Sequence, residues 1–303
     1  MNPEKKKLIV NILTAVAIGG LGFFIVAFIL QPFFSGSVVL PQFFGIGQIK
    51  IQFYGLILGL GALAGYMLAM RRKSSYKIPA EHADSIILAA IIFGFIGARV
   101  YHVLSEITFY IQFPSQIIAV WNGGLSIFGA AIGAVLAVFL YKKFFLKDAE
   151  SRISFLSLLD WLTPSIIVGQ IVGRFGNFMN YELYGYPTNL PWKMFVPIQF
   201  RTPPYELVSF FHPLFLYEAA GSALILVLVL KLKLRHGRLF LLWLLLYNVM
   251  RFFLEYLRVG SIVYGNIRIN AIVAGVLALI ALALFLKLKK SESVDAIPNS
   301  SNS

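Results

Sequence analysis

Eight apolar runs separated by short basic clusters constrain this chain more than any other feature. They cover about residues 8–30, 52–70, 84–104, 124–146, 155–180, 213–234, 239–258 and 270–289. Runs of roughly 17–25 residues match the hydrocarbon thickness of a bilayer when they are helical. A helix also satisfies its own backbone hydrogen bonds, which lipid cannot do. The pattern predicts an all-α fold, a polytopic transmembrane helical bundle of about eight spans. Composition agrees: 59% of residues are hydrophobic and 13% charged, whereas a soluble domain carries about a quarter charged. The 303 residues would allow two soluble domains, but the hydropathy favours one helical bundle.

The clusters between the runs set the orientation. Lys5–Lys7, Arg71–Lys77, Lys142–Arg152, Lys231–Arg238 and Lys287–Lys290 hold 18 of the 26 Lys and Arg residues. The opposite loops hold four: Lys50, Lys193, Arg201 and Arg268. Under the positive-inside rule both termini are cytoplasmic. The net charge of +13 therefore belongs to inner loops, and no basic stripe with interleaved aromatics marks a nucleic-acid binder. The first run is too long for the core of a cleaved signal peptide and reads as an uncleaved anchor. The tail from Ser291 is polar and is expected to be disordered. The chain has no cysteine, so it supplies no thiol nucleophile, disulfide or Cys metal site. His82, His102, His212 and His236 lie far apart without ligand spacing, so no metal centre is expected.

Two outer loops carry distinctive chemistry. Residues 105–122 include Phe109, Tyr110, Phe113, Pro114 and Trp121 and suit the membrane interface. Residues 181–212 hold Pro187, Pro191, Pro197, Pro203 and Pro204. So much proline excludes a helix, and the aromatics beside it suit an ordered cap at headgroup level. No internal repeat of the kind common in transporters is present.

Polar residues inside an apolar chain mark candidate sites, because a charge at membrane depth costs roughly 2.5–3.5 kcal/mol on insertion scales. The densest group is Gly173-Arg174-Phe175-Gly176-Asn177-Phe178-Met179-Asn180-Tyr181-Glu182-Leu183-Tyr184-Gly185. Arg174 and Asn177 share a helical face, and the glycines admit either a neighbouring helix or a ligand. Tyr247, Arg251, Glu255 and Arg258 fall on one face of the seventh run. Arg251 and Glu255 can pair at i,i+4, which leaves Arg258 unmatched. Arg99 shares a face with His102 and Glu106 near the outer end of the third run, where it is either a snorkelling side chain or part of a site. His212-Pro213 opens the sixth run, and Tyr217-Glu218 follows one turn later. The pair Gly123-Gly124 forms either a backbone anion nest or a tight entry turn. Arginines gathered on the outer half of a membrane protein match phosphate, whose oxygens fit the guanidinium fork. The residues thus point to a protein that grips an anionic lipid headgroup.

These motifs resemble the prolipoprotein diacylglyceryl transferase family. The resemblance rests on Gly173 to Gly185 with Pro187-Thr188 and Leu190-Pro191-Trp192. It is joined by Phe53-Tyr54-Gly55-Leu56, Gly97-Ala98-Arg99, His212-Pro213 to Tyr217-Glu218, and Arg251-Phe252 to Glu255 and Arg258. It implies a division into 1–45 (tail and an additional helix), 46–290 (the transferase domain) and 291–303 (the disordered tail). It implies a plasma-membrane enzyme that needs no cofactor. That enzyme moves diacylglycerol from phosphatidylglycerol to the thiol of a lipobox cysteine in a prolipoprotein signal peptide, releasing glycerol phosphate. Phe128 stands where many members have a histidine, so no base is placed there. The resemblance then implies Arg174, Glu182, Arg251, Glu255 and His212 as catalytic, with Glu182 or His212 the thiol base ahead of His102. Arg174, Asn177, Gly185, Arg258, Tyr54 and Arg99 would bind phosphatidylglycerol. The competing reading is a non-enzymatic lipid or anion transporter.

Overall fold

The computed structural model describes residues 3–46, 49–146, 153–232, 234 and 236–295. Its long helices are α1 Pro3–Ile29, α2 Phe53–Arg72, α3 Ala80–Ser105, α4 Ile127–Phe145, α5 Phe155–Met179, α6 Leu214–Lys231, α7 Arg238–Glu255 and α8 Ile269–Asp295. Each falls on one of the eight apolar runs. Six of them, α2 to α6 and α8, are long and apolar enough to cross a membrane. The 18-residue α7 carries three charges, Arg238, Arg251 and Glu255, and α1 contributes the apolar stretch Gly20–Ile29. Large apolar side chains such as Leu88, Leu104, Ile132, Phe253 and Leu279 lie exposed along these helices. Water would penalise that arrangement, whereas lipid tails accept it. The protein is a multi-pass membrane helical protein.

The helix ends have local causes. Gly123 and Gly124 adopt φ +87° and +77°, a region glycine enters freely, so α4 starts at Ile127 rather than at Gly124. At the other end, α7 stops at Glu255. Arg268 Nη1 donates to the carbonyls of Glu255 and Arg258 at 2.9 and 3.2 Å, a cationic cap on the last turn. This corrects the expectation that Arg258 shares a helical face with Tyr247, Arg251 and Glu255. It lies in the turn beyond, and its side chain folds back toward Glu255. The last helix continues to Asp295. Residues 296–303 of the expected disordered tail lie outside the described residues.

The chain divides into two compact units, residues 1–65 with 162–303 and residues 66–161. In the smaller unit α3 packs closely on α4 through glycine. A Cβ on Gly129 would meet the Gly97 carbonyl oxygen and Tyr101 Cβ, and one on Gly133 would meet the Phe93 carbonyl oxygen. Trp161 is fully buried there, donating its Nε1–H to the Ala69 carbonyl at 2.8 Å.

In the larger unit α1 packs on α6, α6 on α7, and α7 on α8. One core cluster, with Ile167, Ile225, Val229, Leu239 and Trp243, joins α5, α6 and α7. The other is aromatic and sits under the loop 181–212, with Phe34, Phe178, Tyr181, Tyr184, Met194, Phe211 and Phe215. That loop contains no α-helix. It is pinned by β3 Met194–Phe195 against β4 Phe210–Phe211. Two further antiparallel pairs flank the helices: β1 Phe43–Ile46 with β2 Ile49–Gln52, and β5 Val263–Tyr264 with β6 Ile267–Arg268.

Candidate active site

The larger unit gathers a ladder of charge from α5, α6 and α7, centred on Glu218. This carboxylate, one turn into α6, is fully buried. Its Oε1 lies 2.7 Å from Arg174 Nη2 and accepts the Tyr247 hydroxyl at 2.7 Å. Its Oε2 accepts Arg251 Nη1 at 2.9 Å. Arg251 Nη2 then donates to Glu255 Oε2 at 2.9 Å, the i,i+4 pair that the spacing anticipates. Arg258 Nη1 approaches the same oxygen at 3.8 Å. Glu255 Oε1 accepts Asn270 Nδ2 from α8 at 3.0 Å.

Buried ion pairs are costly to assemble, and removing one partner leaves a charge that nothing offsets. The ladder is therefore rigid as long as it is complete. Its directly paired groups are unequal in number. Among the described residues, Arg174, Arg251 and Arg258 make direct ion pairs only with Glu218 and Glu255, three guanidinium groups on two carboxylates. Arg258 is the loosest member, at the longest distance and with about a third of its side chain exposed. Arg174 Nε is buried and, among the described residues, has no hydrogen-bond partner. A buried guanidinium N–H without an acceptor is expensive, and phosphate supplies acceptors in the fork geometry.

The end of α5 adds a second hydrogen-bonded group on the other side of Arg174. Arg174 Nη1 donates to Asn177 Oδ1 at 2.9 Å. Asn177 and Asn180 each direct an amide N–H to Glu182, both at 3.1 Å. Tyr181 and Leu183 take φ +55°, a strained conformation for side-chain-bearing residues of the kind found at functional sites. It turns the chain so that Glu182 comes back over α5, its backbone N–H on the Asn177 carbonyl at 2.8 Å. Tyr54, at the start of α2, lays its ring against Gly176: a Cβ there would come within 2.9 Å of it. Gly176 thus admits an aromatic ring beside Arg174.

Gly185 joins His212 to the turn after α7. Its N–H donates to the His212 carbonyl at 2.8 Å, and it bridges to Arg258. A Cβ on it would strike the Leu257 carbonyl oxygen at 2.7 Å and His212 Cβ at 2.9 Å, so only glycine lets these strands approach. His212 Nδ1 lies 3.0 Å from the Tyr217 hydroxyl, and burial pulls its pKa below the ordinary histidine value.

A profile of the family described as prolipoprotein diacylglyceryl transferase matches residues 41–287. The chain belongs to this family. Among similar proteins, a phosphatidylglycerol–prolipoprotein diacylglyceryl transferase of Thermotoga maritima is 38% identical over 293 residues, covering 95% of this chain and 98% of the relative. Its namesake in Fervidobacterium nodosum is 37% identical over 287 residues, covering 93% and 95%. One from Nostoc is 34% identical over 270 residues, covering 86% and 93%. The family profile begins after α1, yet an alignment over 95% of the chain reaches into that helix.

Of the residues the family resemblance implies, the larger unit brings Arg174, Asn177, Glu182, Gly185, His212, Arg251, Glu255, Arg258 and Tyr54 into connected contacts. Arg99 belongs to the smaller unit, where backbone carbonyls occupy it. Its Nε donates to Ile117 at 2.8 Å, its Nη1 to Gly123 and Gly124 at 2.7 and 2.8 Å, and its Nη2 to Gln116. Four N–H groups thus fasten the loop before α4. The Gly123-Gly124 pair turns its carbonyls toward a cation, so it reads as the entry turn rather than an anion nest. His102 lines a cavity of about 300 Å³ with Arg99, Glu106 and Tyr110 in the same unit, and Phe128 stacks at a tilt against Tyr101. Sequence reasoning assigned no role to Glu218, Asn270 or Arg268. A carboxylate one turn inside α6 was the signal for the first; the other two carry none.

Proposed function

We propose that this chain transfers the diacylglyceryl group of phosphatidylglycerol to the thiol of a lipobox cysteine in a prolipoprotein. The observation that carries this reading is the unbalanced ladder, three guanidinium groups arranged on two buried carboxylates. The thiolate sulfur forms a bond to the glycerol carbon as the bond from that carbon to the phosphate oxygen breaks. The thiol proton passes to a base on the protein, and glycerol phosphate departs with its phosphate charge raised by one. Preorganised donors aimed at that growing charge supply the main rate acceleration. Arg174 binds the phosphate, with Asn177 holding its fork and Gly185 and Tyr54 shaping the pocket. Arg251 and Arg258 stabilise the departing phosphate, Glu255 orients Arg251, and Glu218 spaces Arg174 from Arg251. Glu182 and His212 are the two candidates for the thiol base, since only the thiolate is nucleophilic.

In this reading the enzyme lies in the bacterial plasma membrane with both termini cytoplasmic, and all eight long helices span it. Residues 46–290 form the transferase domain, and α1 is an addition to it. The test is lipid transfer by Arg174→Ala in membranes. The expected loss is about 10²–10³-fold, the scale of a missing charge-stabilising donor. A variant that keeps full transfer removes Arg174 from the mechanism.

A further inference from the structure

The ladder leaves one polar chain unused, which runs from Trp192 through Tyr217 to His212 beside Gly185. Trp192 Nε1 lies 2.8 Å from the Tyr217 hydroxyl oxygen. An indole N–H can only donate, so the phenol oxygen accepts there. Its own hydrogen is then available to His212 Nδ1, 3.0 Å away, a contact whose donor follows the tautomer of the ring. Where the phenol donates, Nδ1 is the lone-pair nitrogen and the ring hydrogen sits on Nε2. Which ring nitrogen carries the proton is set by the bond the other makes. The backbone of His212 is pinned too: its carbonyl takes the Gly185 N–H at 2.8 Å and its N–H donates to the Tyr186 carbonyl at 3.1 Å.

The aromatic ends of this relay are covered by α1. The Phe23 ring stands edge-on to Trp192 with centroids 5.9 Å apart, and lies 5.8 Å from Tyr217. Phe24 adds a second edge-on contact to Trp192 at 6.1 Å. Such contacts fix ring orientation by the quadrupole. Trp192 sits in a proline-rich loop, so without this cover its N–H has only the loop to aim it.

We propose that Trp192 and Tyr217 are positioning residues that hold His212 as an Nε2–H donor, and that α1 braces them through Phe23 and Phe24. The contacts stand on the geometry, the direction of the relay is the proposal, and its consequence rests on the transferase reading. A ring that carries hydrogen on Nε2 donates to an anionic oxygen and cannot take a proton at that nitrogen, so His212 serves the phosphate side and Glu182 is left as the thiol base. Burial favours the neutral ring, and the Tyr217 bond selects between its two tautomers.

The experiment is nitrogen-15 spectroscopy of the full-length protein labelled at histidine, at a pH where His212 is neutral, with His212→Gln identifying its signals. The wild type should show hydrogen on Nε2 and an Nδ1 signal displaced by an accepted hydrogen bond. Tyr217→Phe should return that signal to the position of a free ring. Phe23→Ala should weaken the displacement and lower kcat about tenfold, the scale of one lost hydrogen bond, with KM for phosphatidylglycerol unchanged. Trp192→Phe, which keeps a ring against α1 and loses only the N–H, should act in the same direction if Phe23→Ala folds poorly. Hydrogen on Nδ1 in the wild type, or an Nδ1 signal indifferent to Tyr217→Phe, overturns the relay and leaves the transferase reading standing. The expected spectrum from a protein that transfers no lipid supports the relay and overturns that reading instead.

Discussion

Glu218 ties three helices together, because Arg174 from α5 and Tyr247 and Arg251 from α7 all converge on its two oxygens. With Gln at this position, Arg174 loses its carboxylate partner and Arg251 is left with Glu255 alone among the described residues. The Glu218→Gln protein should lose about 3 kcal/mol of stability, the scale of a broken buried pair. Its transfer rate should fall by about 10²-fold as Arg174 and Arg251 lose their spacing. Thermal melting in detergent and the transfer rate measure the two effects; a protein that melts with the wild type would show that the pairing contributes little. Arg174 is a different case, since its Asn177 partner lies on its own helix. This is why the Arg174–Asn177 contact was legible from spacing alone while the Arg174–Glu218 contact, across 44 positions of chain, was not.

Among elements, the crossing of α3 and α4 depends on the absence of side chains. Gly129→Val would push a branched side chain against the Gly97 carbonyl and Tyr101. The helices must separate, at a cost of about 1–3 kcal/mol. Gly59→Ala on α2, where a Cβ meets nothing within 4 Å, is the control. A melting temperature for Gly129→Val equal to that of the control would refute the close crossing. The positions of the helices were legible in the apolar runs because lipid imposes a length on each span. Their ends were less so. The α7 terminus is decided by Arg268, brought in from β6, and the α4 start by Arg99, which holds the carbonyls of Gly123 and Gly124. Both are non-local caps that periodicity cannot register. The same holds for Arg99 itself: its residue type suggested phosphate, and its surroundings hand it carbonyls.

For the whole molecule, two questions follow: which way it faces and what it does to a lipid. The distribution of Lys and Arg predicts cytoplasmic termini. A chain with no cysteine of its own makes the check direct, because a single Cys placed at Lys5 is the only target for a membrane-impermeant thiol reagent. It should react in inverted vesicles and not in intact cells; the reverse pattern would turn the topology over and place the ladder on the inner face. The family and the ladder together lead to covalent transfer rather than passage of lipid. Mass measurement of a lipobox peptide, after incubation with the purified protein and phosphatidylglycerol, tests that claim most directly. The account predicts a peptide heavier by one diacylglyceryl group, with glycerol phosphate released. A peptide of unchanged mass, alongside movement of lipid between leaflets, would contradict it.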